Sequence, residues 1–303
     1  MSDVPQHISL SRQLTGRWQI PLLLVSLGLL MAGVWRLRPA PKPPTFEELF
    51  TRSATLKDAK LYSQASRHIE SVLSNPELKL SVLERGRLQA LMAEVIYLHE
   101  LGNAVHGAGN ARSILSNLDW ASAAGVADSV DRQMMRARAC EWLNRGAEAV
   151  EAYRRALAGG VADPWAVRKR IVQIDRESGR IAGDQLQAEL DPFLAGDDVP
   201  DEMRYWALEQ KVVLLGEEQK YQEADALLAS QSRRPVGENW RNQREFLQAL
   251  VAYHLGRSEE AEPLLRVLRD RVVPGDPLYA RASWLLGRIL QSHEAPQPAL
   301  SFY

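Results

Sequence analysis

The residues that could carry out chemistry in this chain are few, and they stand apart in the sequence. Cys140 is the one cysteine, and no histidine lies at helical spacing from it. A single cysteine builds neither a disulfide framework nor a cysteine-cluster metal site within one chain, so we expect a small, buried side chain there. His99 and His106 are seven residues apart, with a predicted turn between them and no carboxylate at ligand spacing beside both. These patterns predict no catalytic residue, no metal ligand, no cofactor and no enzymatic activity. The histidines are expected to be solvated or to cap helices.

The composition excludes several classes of protein. Of the 303 residues, 46% are hydrophobic and 25% are charged, which is typical of a folded globular chain and excludes a disordered or multi-span membrane protein. The 37 basic and 38 acidic residues leave a net charge of −1, so the chain is not a strongly basic nucleic-acid binder. We therefore expect no nucleic-acid partner.

The first 45 residues have the pattern of an anchor and a spacer. After an N-terminal tail over residues 1–17, residues 18–35 contain no charged side chain, and Arg17 and Arg36 bracket them. Eighteen helical residues span about 27 Å, close to the hydrocarbon thickness of a bilayer. Residues 18–36 are therefore predicted to form a single-pass transmembrane helix. Residues 37–45 contain four prolines, which predicts a stiff, extended linker.

This segment leaves alternatives open. A cleaved signal peptide is the other interpretation, although Leu30-Met31-Ala32-Gly33 places a bulky residue three positions before either cleavage point. The basic residues on the two sides differ too little in number to set the orientation. We therefore expect a single-pass protein of the bacterial inner membrane, with the side of its large domain undetermined. Gly28 and Ala32 form a small-xxx-small pair, so homo-oligomerisation through them is a further alternative.

From residue 46 to residue 303, an amphipathic helix, a break and a second helix recur, without strand-like alternation. A small or apolar residue is needed where the second helix of each pair crosses the first closely. Such positions recur at intervals of 37 or 38 residues after a first interval of 46. They are Ala65, Ala111, Ala149, Leu186, Ala224, Ala261 and Ala299. The pattern predicts an all-α chain of about seven helical hairpins, the second of which has helices over Leu78–Leu101 and Ala104–Leu118.

Several of these hairpins resemble the tetratricopeptide repeat family. The family's first-helix Leu-Gly pair, turn aromatic, crossing alanine, later aromatic and last small residue are all represented. They are matched by Leu286-Gly287; by Tyr62 and Tyr221; by Ala149, Ala224, Ala261 and Ala299; by Tyr153 and Tyr303; and by Ala156. The resemblance covers residues 46–303 in outline and is specific over 128–158 and 201–303. It implies a right-handed α-solenoid of helical hairpins over 46–303.

The chain also departs from the family's pattern. Its period near 38 residues exceeds the family's repeat of about 34, and the fourth hairpin barely matches. A related helical-hairpin solenoid is therefore the structural alternative. Residues 299–303 lie mid-way through a predicted second helix, so we expect the last hairpin to be cut off.

The resemblance implies a function in binding. The family's concave groove is built mainly from first helices and binds peptides or partner helices, which implies a membrane-anchored scaffold for a protein or peptide partner. Aromatic and arginine residues are enriched at interface hot spots. The groove positions carried over through the crossing alanines are Met134, Arg138, Trp142, Trp206, Phe246, Tyr253, Arg281, Trp284 and Arg288. Arg168-Lys169-Arg170, by contrast, is expected to be a solvated face. The alternative function is the N-terminal sensory or recruiting part of a longer enzyme whose catalytic portion lies beyond residue 303.

Overall fold

The structure is a computed structural model that describes residues 11–37, 43–103, 106–231 and 237–292. This part of the chain contains helices and no strand, which confirms the all-α prediction for it. The helices are α1 (Ser11–Leu37), α2 (Phe46–Asp58), α3 (Tyr62–Ser74), α4 (Val82–Leu101), α5 (Ala108–Ala123), α6 (Val130–Trp142), α7 (Gly146–Ala158), α8 (Pro164–Glu177), α9 (Gly183–Ala195), α10 (Asp201–Glu217), α11 (Tyr221–Gln231), α12 (Glu238–His254), α13 (Ser258–Arg271) and α14 (Pro277–Ser292).

The chain divides into two compact units, residues 1–51 and 52–303. The main element of the first unit is α1. Nowhere in the described part of the chain is a helix both long and apolar enough to cross a membrane. The structure therefore gives the predicted transmembrane helix over 18–36 no support. Residues 1–10 of the predicted tail and 38–42 of the predicted linker lie outside the described residues, as does the predicted last second helix around Ala299.

In the second unit, packing follows the order of the chain. Each helix from α3 to α14 packs against the next one. In addition, first helices of successive hairpins pack on one another, in the pairs α4 with α6, α8 with α10, α10 with α12 and α12 with α14. Among these fully described helices, no Cα atom of a second helix lies within 8 Å of one in the next second helix, and the same holds for α6 and α8. Such sequential packing is that of a helical-hairpin repeat.

The crossing positions are buried as the sequence predicts. All six that the structure describes, from Ala65 to Ala261, are at most 3% exposed. A methyl group at these places lets the second helix approach the first, whereas a larger side chain would hold the two helices apart. Leu186, in the fourth hairpin, is the larger exception, and the packing of α8 against α9 is correspondingly the loosest within the described hairpins from α4 to α13.

The second hairpin is where the predicted boundaries were wrong. The sequence suggested helices from Leu78 and from Ala104, but α4 begins after Ser81 and α5 after Gly107. The Ser81 hydroxyl accepts a hydrogen bond from the Glu84 amide, and the Glu84 carboxylate accepts one from the Ser81 amide at 2.7 Å. This capping box satisfies two amides that lack helical partners, and so it sets the start of α4.

Two hydrophobic cores run through the described residues from α4 to α14, and α8 contributes to both. The first core runs from Ala93 in α4 to Ile174 in α8. The second runs from Val172 in α8 to Leu290 in α14. Neighbouring positions on α8 thus point into different cores, and the repeat continues through these side chains although the backbones of α6 and α8 stay more than 8 Å apart.

Gly86 and Gly109 allow the tight crossing of α4 and α5 to be tested with substitutions of opposite effect. A Cβ on Gly86 would lie 2.5 Å from Ala124 Cβ, whereas nothing lies within 4 Å of a Cβ on Gly109. We expect Gly86→Ala to lower the free energy of unfolding by about 1–3 kcal/mol because the helices must separate. Gly109→Ala should raise it by about 0.5 kcal/mol, since alanine is the better helix former.

Urea unfolding of the full chain, followed by far-ultraviolet circular dichroism, measures both changes. A Gly86→Ala variant as stable as Gly109→Ala would contradict the close crossing.

Candidate partner-binding face

The first helices pack as α4 with α6 and as a row from α8 to α14, and their exposed sides define what we call the first-helix face. It comprises the solvent-exposed sides of α4, α6, α8, α10, α12 and α14. The exposed sides of α5, α7, α9, α11 and α13 form the second-helix face. All nine predicted groove residues lie on first helices.

These nine residues differ in exposure. A groove contact needs accessible surface, and most of the set retains some of it. Arg138, Arg281, Trp284 and Arg288 are exposed, Met134, Trp142, Trp206 and Tyr253 are half-buried, and Phe246 is buried. Phe246 therefore serves the second core, and the Arg281 guanidinium lies over its ring.

Three consecutive first helices bring their side chains together at one point. The Arg281 guanidinium on α14 lies 4.5 Å from the ring centroid of Phe246 on α12. The same guanidinium donates a hydrogen bond from Nη1 to Glu209 Oε1 on α10, at 3.0 Å. Arginine over an aromatic ring is attracted by the ring quadrupole, and the carboxylate adds a charge-assisted hydrogen bond.

This contact brings side chains of alternate first helices together over the helix between them. Packed helices are spaced by about 8–10 Å, so α10 and α14 would stand about 16–20 Å apart in a flat layer. If a glutamate on one of these helices and an arginine on the other projected parallel to each other, they would not bridge the distance between the two helices. Glu209 and Arg281 are in contact, so α10 and α14 tilt their side chains toward each other over α12.

Trp284 and Arg288 continue this surface along α14. Trp284 is 54% exposed. Arg281, Trp284 and Arg288 are spaced i, i+3 and i+7, which places them on one side of the helix. The sequence of α14 contains no acidic residue. The result is an exposed aromatic ring between two cations.

Trp206 lies farther along the face, at the junction of α8 and α10. Its ring meets Phe193 edge-on with centroids 5.4 Å apart, and Lys169 Nζ lies 5.3 Å from its centroid. Trp206 also lines a cleft of about 420 Å³ with Gln173, Arg176 and Gln210 among its walls. Lys169 is therefore not the purely solvated residue that the sequence suggested.

The predicted residues on α6 form a separate group. Trp142 stacks on His106 with ring centroids 4.2 Å apart and on Tyr97 at 5.7 Å. His106 is therefore a packing residue, not a solvated or capping one. Within the described residues, no hydrogen bond, ion pair or ring contact joins this group to the predicted residues on α10–α14.

Glu100 holds the turn that carries His106. The carboxylate is 3% exposed and lies 4.0 Å from His106 Nδ1. It accepts hydrogen bonds from the Gly107 amide at 2.9 Å, from Asn110 Nδ2 at 2.5 Å and from Asn103 Nδ2 at 3.2 Å. Burial by itself raises the pKa of Glu100, but these hydrogen bonds and the nearby His106 together lower it below its usual value.

Glu141 connects three helices beside Trp142. Its Oε2 accepts hydrogen bonds from Nε and Nη2 of Arg170 on α8, at 2.9 and 2.7 Å. Its Oε1 accepts one from the Tyr153 hydroxyl on α7, and Arg138 Nη1 lies 3.7 Å away. Burial and this hydrogen bond raise the pKa of Tyr153, and the hydrogen bond to Glu141 raises the pKa of Arg170. The Arg170 side chain thus joins α8 to α6 across the place where their backbones do not meet.

Sequence reasoning missed the acidic and polar partners of the predicted residues. Glu209 follows Trp206 by three positions, so its helical spacing could have placed it on the same face. Glu141 adjoins Trp142 but lies on another side of α6, and only the tertiary packing connects it to Arg170. The aromatic and arginine side chains were found because hot-spot composition selects those types, whereas acidic residues carry no such signal.

Of the residues considered for chemistry, Cys140 and His106 are packing elements, whereas His99 is exposed, as the sequence predicts. Cys140 is buried, as predicted, and burial raises the pKa of its thiol. Across the described ranges, no group of three or more histidine, cysteine, aspartate or glutamate residues converges as a metal ion would require.

No protein-family model and no curated protein matches this chain. Solved structures with similar folds include a tetratricopeptide repeat protein from Parabacteroides merdae, at 13% identity and a TM-score of 0.41, which covers 85% of this chain and 90% of that one. The apo form of the quorum sensor NprR from B. thuringiensis has 12% identity, a TM-score of 0.44 and coverages of 95% and 92%. The TPR2AB-domain:pHSP90 complex of yeast Sti1 has 14% identity, a TM-score of 0.33 and coverages of 85% and 87%. At such values the likeness carries no weight for function, and the repeat assignment rests on this chain's own packing.

The lowered pKa of Glu100 predicts a contribution to stability that acid removes. The ionised carboxylate stabilises the folded chain above its unfolded pKa of about 4.3, and that contribution is lost as pH falls through the lower folded value. Glu100→Gln should therefore lower the free energy of unfolding at pH 7 and flatten its decline below about pH 5.

Glu77→Gln is the matched control, because Glu77 is exposed in the turn before α4. Its acid profile, from urea unfolding at a series of pH values, should follow that of the unsubstituted chain. A Glu100→Gln profile parallel to the unsubstituted one would show that Glu100 does not titrate as described.

Proposed function

We propose that this chain is a tetratricopeptide-type scaffold that binds a protein or peptide partner on its first-helix face and performs no catalysis of its own. The observation that carries the proposal is the meeting of Glu209, Phe246 and Arg281 from three successive first helices. It supports a concave surface of the kind that receives an extended or helical segment. Trp284 and Arg288 extend this surface with accessible aromatic and cationic groups.

The composition of the face supports binding over a purely structural role. Tryptophan and arginine bring a large contact area and planar hydrogen bonding, and they dominate interface energetics. An exposed tryptophan at an otherwise well-packed helix costs hydrophobic free energy in the free protein, which association with a partner recovers. Trp284 is such a residue, and Arg138 is its exposed counterpart on α6.

A pair of double variants tests the proposal. The first, Arg138→Ala with Trp284→Ala, removes exposed groups from both halves of the first-helix face. The second, Arg112→Ala with Trp120→Ala, removes the same residue types from α5 on the second-helix face, where Trp120 is 62% exposed. Both chains should keep the far-ultraviolet circular dichroism of the unsubstituted protein, because all four side chains are exposed.

Affinity capture from a bacterial membrane extract with each full chain as bait, read by quantitative mass spectrometry, gives the outcome. We expect a partner that the unsubstituted chain and the α5 variant retain and that the first-helix variant holds at least about tenfold more weakly. Equal retention by the two variants would rule out the first-helix face as the binding surface.

We also propose that residues 18–36 anchor the chain in the bacterial inner membrane. Support comes from the apolar side chains of α1, since Ile20, Leu22, Leu29 and Met31 are each at least 65% exposed. The hydroxyl of Ser26, the polar residue in mid-helix, is satisfied within α1 by the Leu22 carbonyl at 2.9 Å. Homo-oligomerisation through Gly28 and Ala32 stays a prediction. The side of the membrane that the large domain occupies stays open.

Substitution of the apolar run tests the anchor. Leu23→Arg with Leu27→Arg should release the chain from carbonate-washed membranes, because each arginine in mid-bilayer costs about 2.5–3.5 kcal/mol. The matched control, Leu23→Ala with Leu27→Ala, should stay in the membrane pellet. Recovery of the unsubstituted chain in the carbonate supernatant would contradict the proposal.

A further inference from the structure

We propose that Glu209 is a built-in competitor for an acidic ligand segment that binds along Arg281, Trp284 and Arg288. In the free protein Glu209 pairs with Arg281, and the ligand's carboxylate replaces it there. This inference rests on the proposed function, because it assigns a ligand class to one end of the same face.

Arg281 is positioned for a ligand before a ligand arrives. Phe246 fixes its guanidinium from below at 4.5 Å, and Glu209 holds it from the side at 3.0 Å. Even so, the side chains of Arg281 and Glu209 are 46% and 33% exposed. Ion pairs with this exposure contribute little net stability, so a ligand carboxylate that gains further contacts can displace Glu209.

The side chains next to Arg281 on α14 define which further contacts a ligand can make. Trp284 offers an exposed ring one turn along α14, and Arg288 offers a second cation one turn beyond it. Within the described residues, no carboxylate lies within ion-pair distance of Arg288, and Trp284 has no aromatic or cationic partner. The two arginines are separated by about 10 Å along the helix axis. The stripe therefore presents cation, aromatic ring and cation in that order.

A ligand that complements this order carries an acidic, an apolar and an acidic side chain on one side. In an extended chain every second side chain shares a side, and each residue advances by about 3.3 Å. The pattern Glu-x-Phe-x-Glu thus places an aromatic ring between two carboxylates about 13 Å apart. The long, flexible arginine side chains span the small difference in spacing. A basic segment would be repelled by both arginines.

Fluorescence anisotropy with a labelled, end-blocked peptide, Gly-Glu-Ser-Phe-Ser-Glu-Gly, and the full chain tests the inference. We expect binding that weakens with rising salt and that is lost when both glutamates of the peptide are replaced by glutamine. The competitor is tested by Glu209→Gln, which should tighten binding about two- to fivefold because Arg281 is released. Arg281→Gln should weaken binding about fivefold or more.

Each variant has a matched control on the same chain. Glu217→Gln makes the same charge change on α10, where Glu217 pairs with Arg176 at 3.8 Å and not with Arg281. Arg266→Gln makes the other charge change on α13, on the second-helix face, where Arg266 pairs with Glu262 at 2.7 Å. Both controls should bind the peptide as the unsubstituted chain does. Equal tightening by Glu217→Gln and Glu209→Gln would attribute the effect to net charge and overturn the competitor role.

The outcomes separate this inference from the proposed function. If the Arg138 and Trp284 double variant loses its partner but the glutamate peptide binds no better than the glutamine peptide, the scaffold stands and the acidic ligand class is wrong. If the peptide binds by charge but Glu209→Gln does not tighten it, the ligand class stands and the competitor is overturned. Failure of the peptide and of the partner capture together would refute both.

Discussion

The close approach of the two helices in each hairpin is the constraint on which the rest of the second unit depends. Alanine at the crossing positions, together with Gly86 in α4, removes the side-chain volume that would keep the helix axes apart. Large apolar residues one turn away then fill the space around the crossing at the density of a protein interior. Where the crossing is close, neighbouring hairpins stack in register and their first helices form a layer. The fourth hairpin, with Leu186 at its crossing, packs more loosely but still adds α8 to that layer.

That layer decides what the first-helix face can do. Where first helices pack directly on one another, from α8 to α14, side chains two hairpins apart reach each other, as Glu209 and Arg281 do. Where they do not, between α6 and α8, the connection passes through α7 and through the Arg170–Glu141 ion pair. The change of core at α8 thus divides the face into two groups of accessible residues, with different neighbours.

Carboxylates organise both groups, in two different ways. Glu100 and Glu141 are largely buried, and each accepts several hydrogen bonds from separate elements, so removal of either leaves donors without an acceptor. Glu209 is half-exposed and pairs with one arginine, so its loss costs the fold little. The buried carboxylates therefore belong to the framework that holds Trp142 in place, and the exposed one belongs to the surface that a partner meets.

The fold was predictable because local periodicity in the sequence determines it. Most hairpins could be located within a few residues from three signals: apolar residues at helical spacing, breaks at glycine and asparagine, and a crossing residue every 37 or 38 positions. The second hairpin was misplaced because the signals that set it are side chains that accept hydrogen bonds from backbone amides: the Ser81–Glu84 capping box, and Glu100, which accepts from the Gly107 amide. The Ser81-x-x-Glu84 spacing could have been read from the sequence, whereas the bond from Gly107 to Glu100 depends on how the turn folds.

The candidate site was predictable only in part. The family resemblance, carried over through the crossing alanines, selected Arg281, Trp284 and Arg288 on a first helix, and helical spacing puts them on one side of it. Only the tertiary structure showed that Phe246 is buried beneath Arg281, that Glu209 reaches it across α12, and that the α6 residues form a group of their own. The physical reason is distance along the chain: helical periodicity specifies neighbours within two turns, whereas a contact between residues 72 positions apart depends on how three hairpins stack.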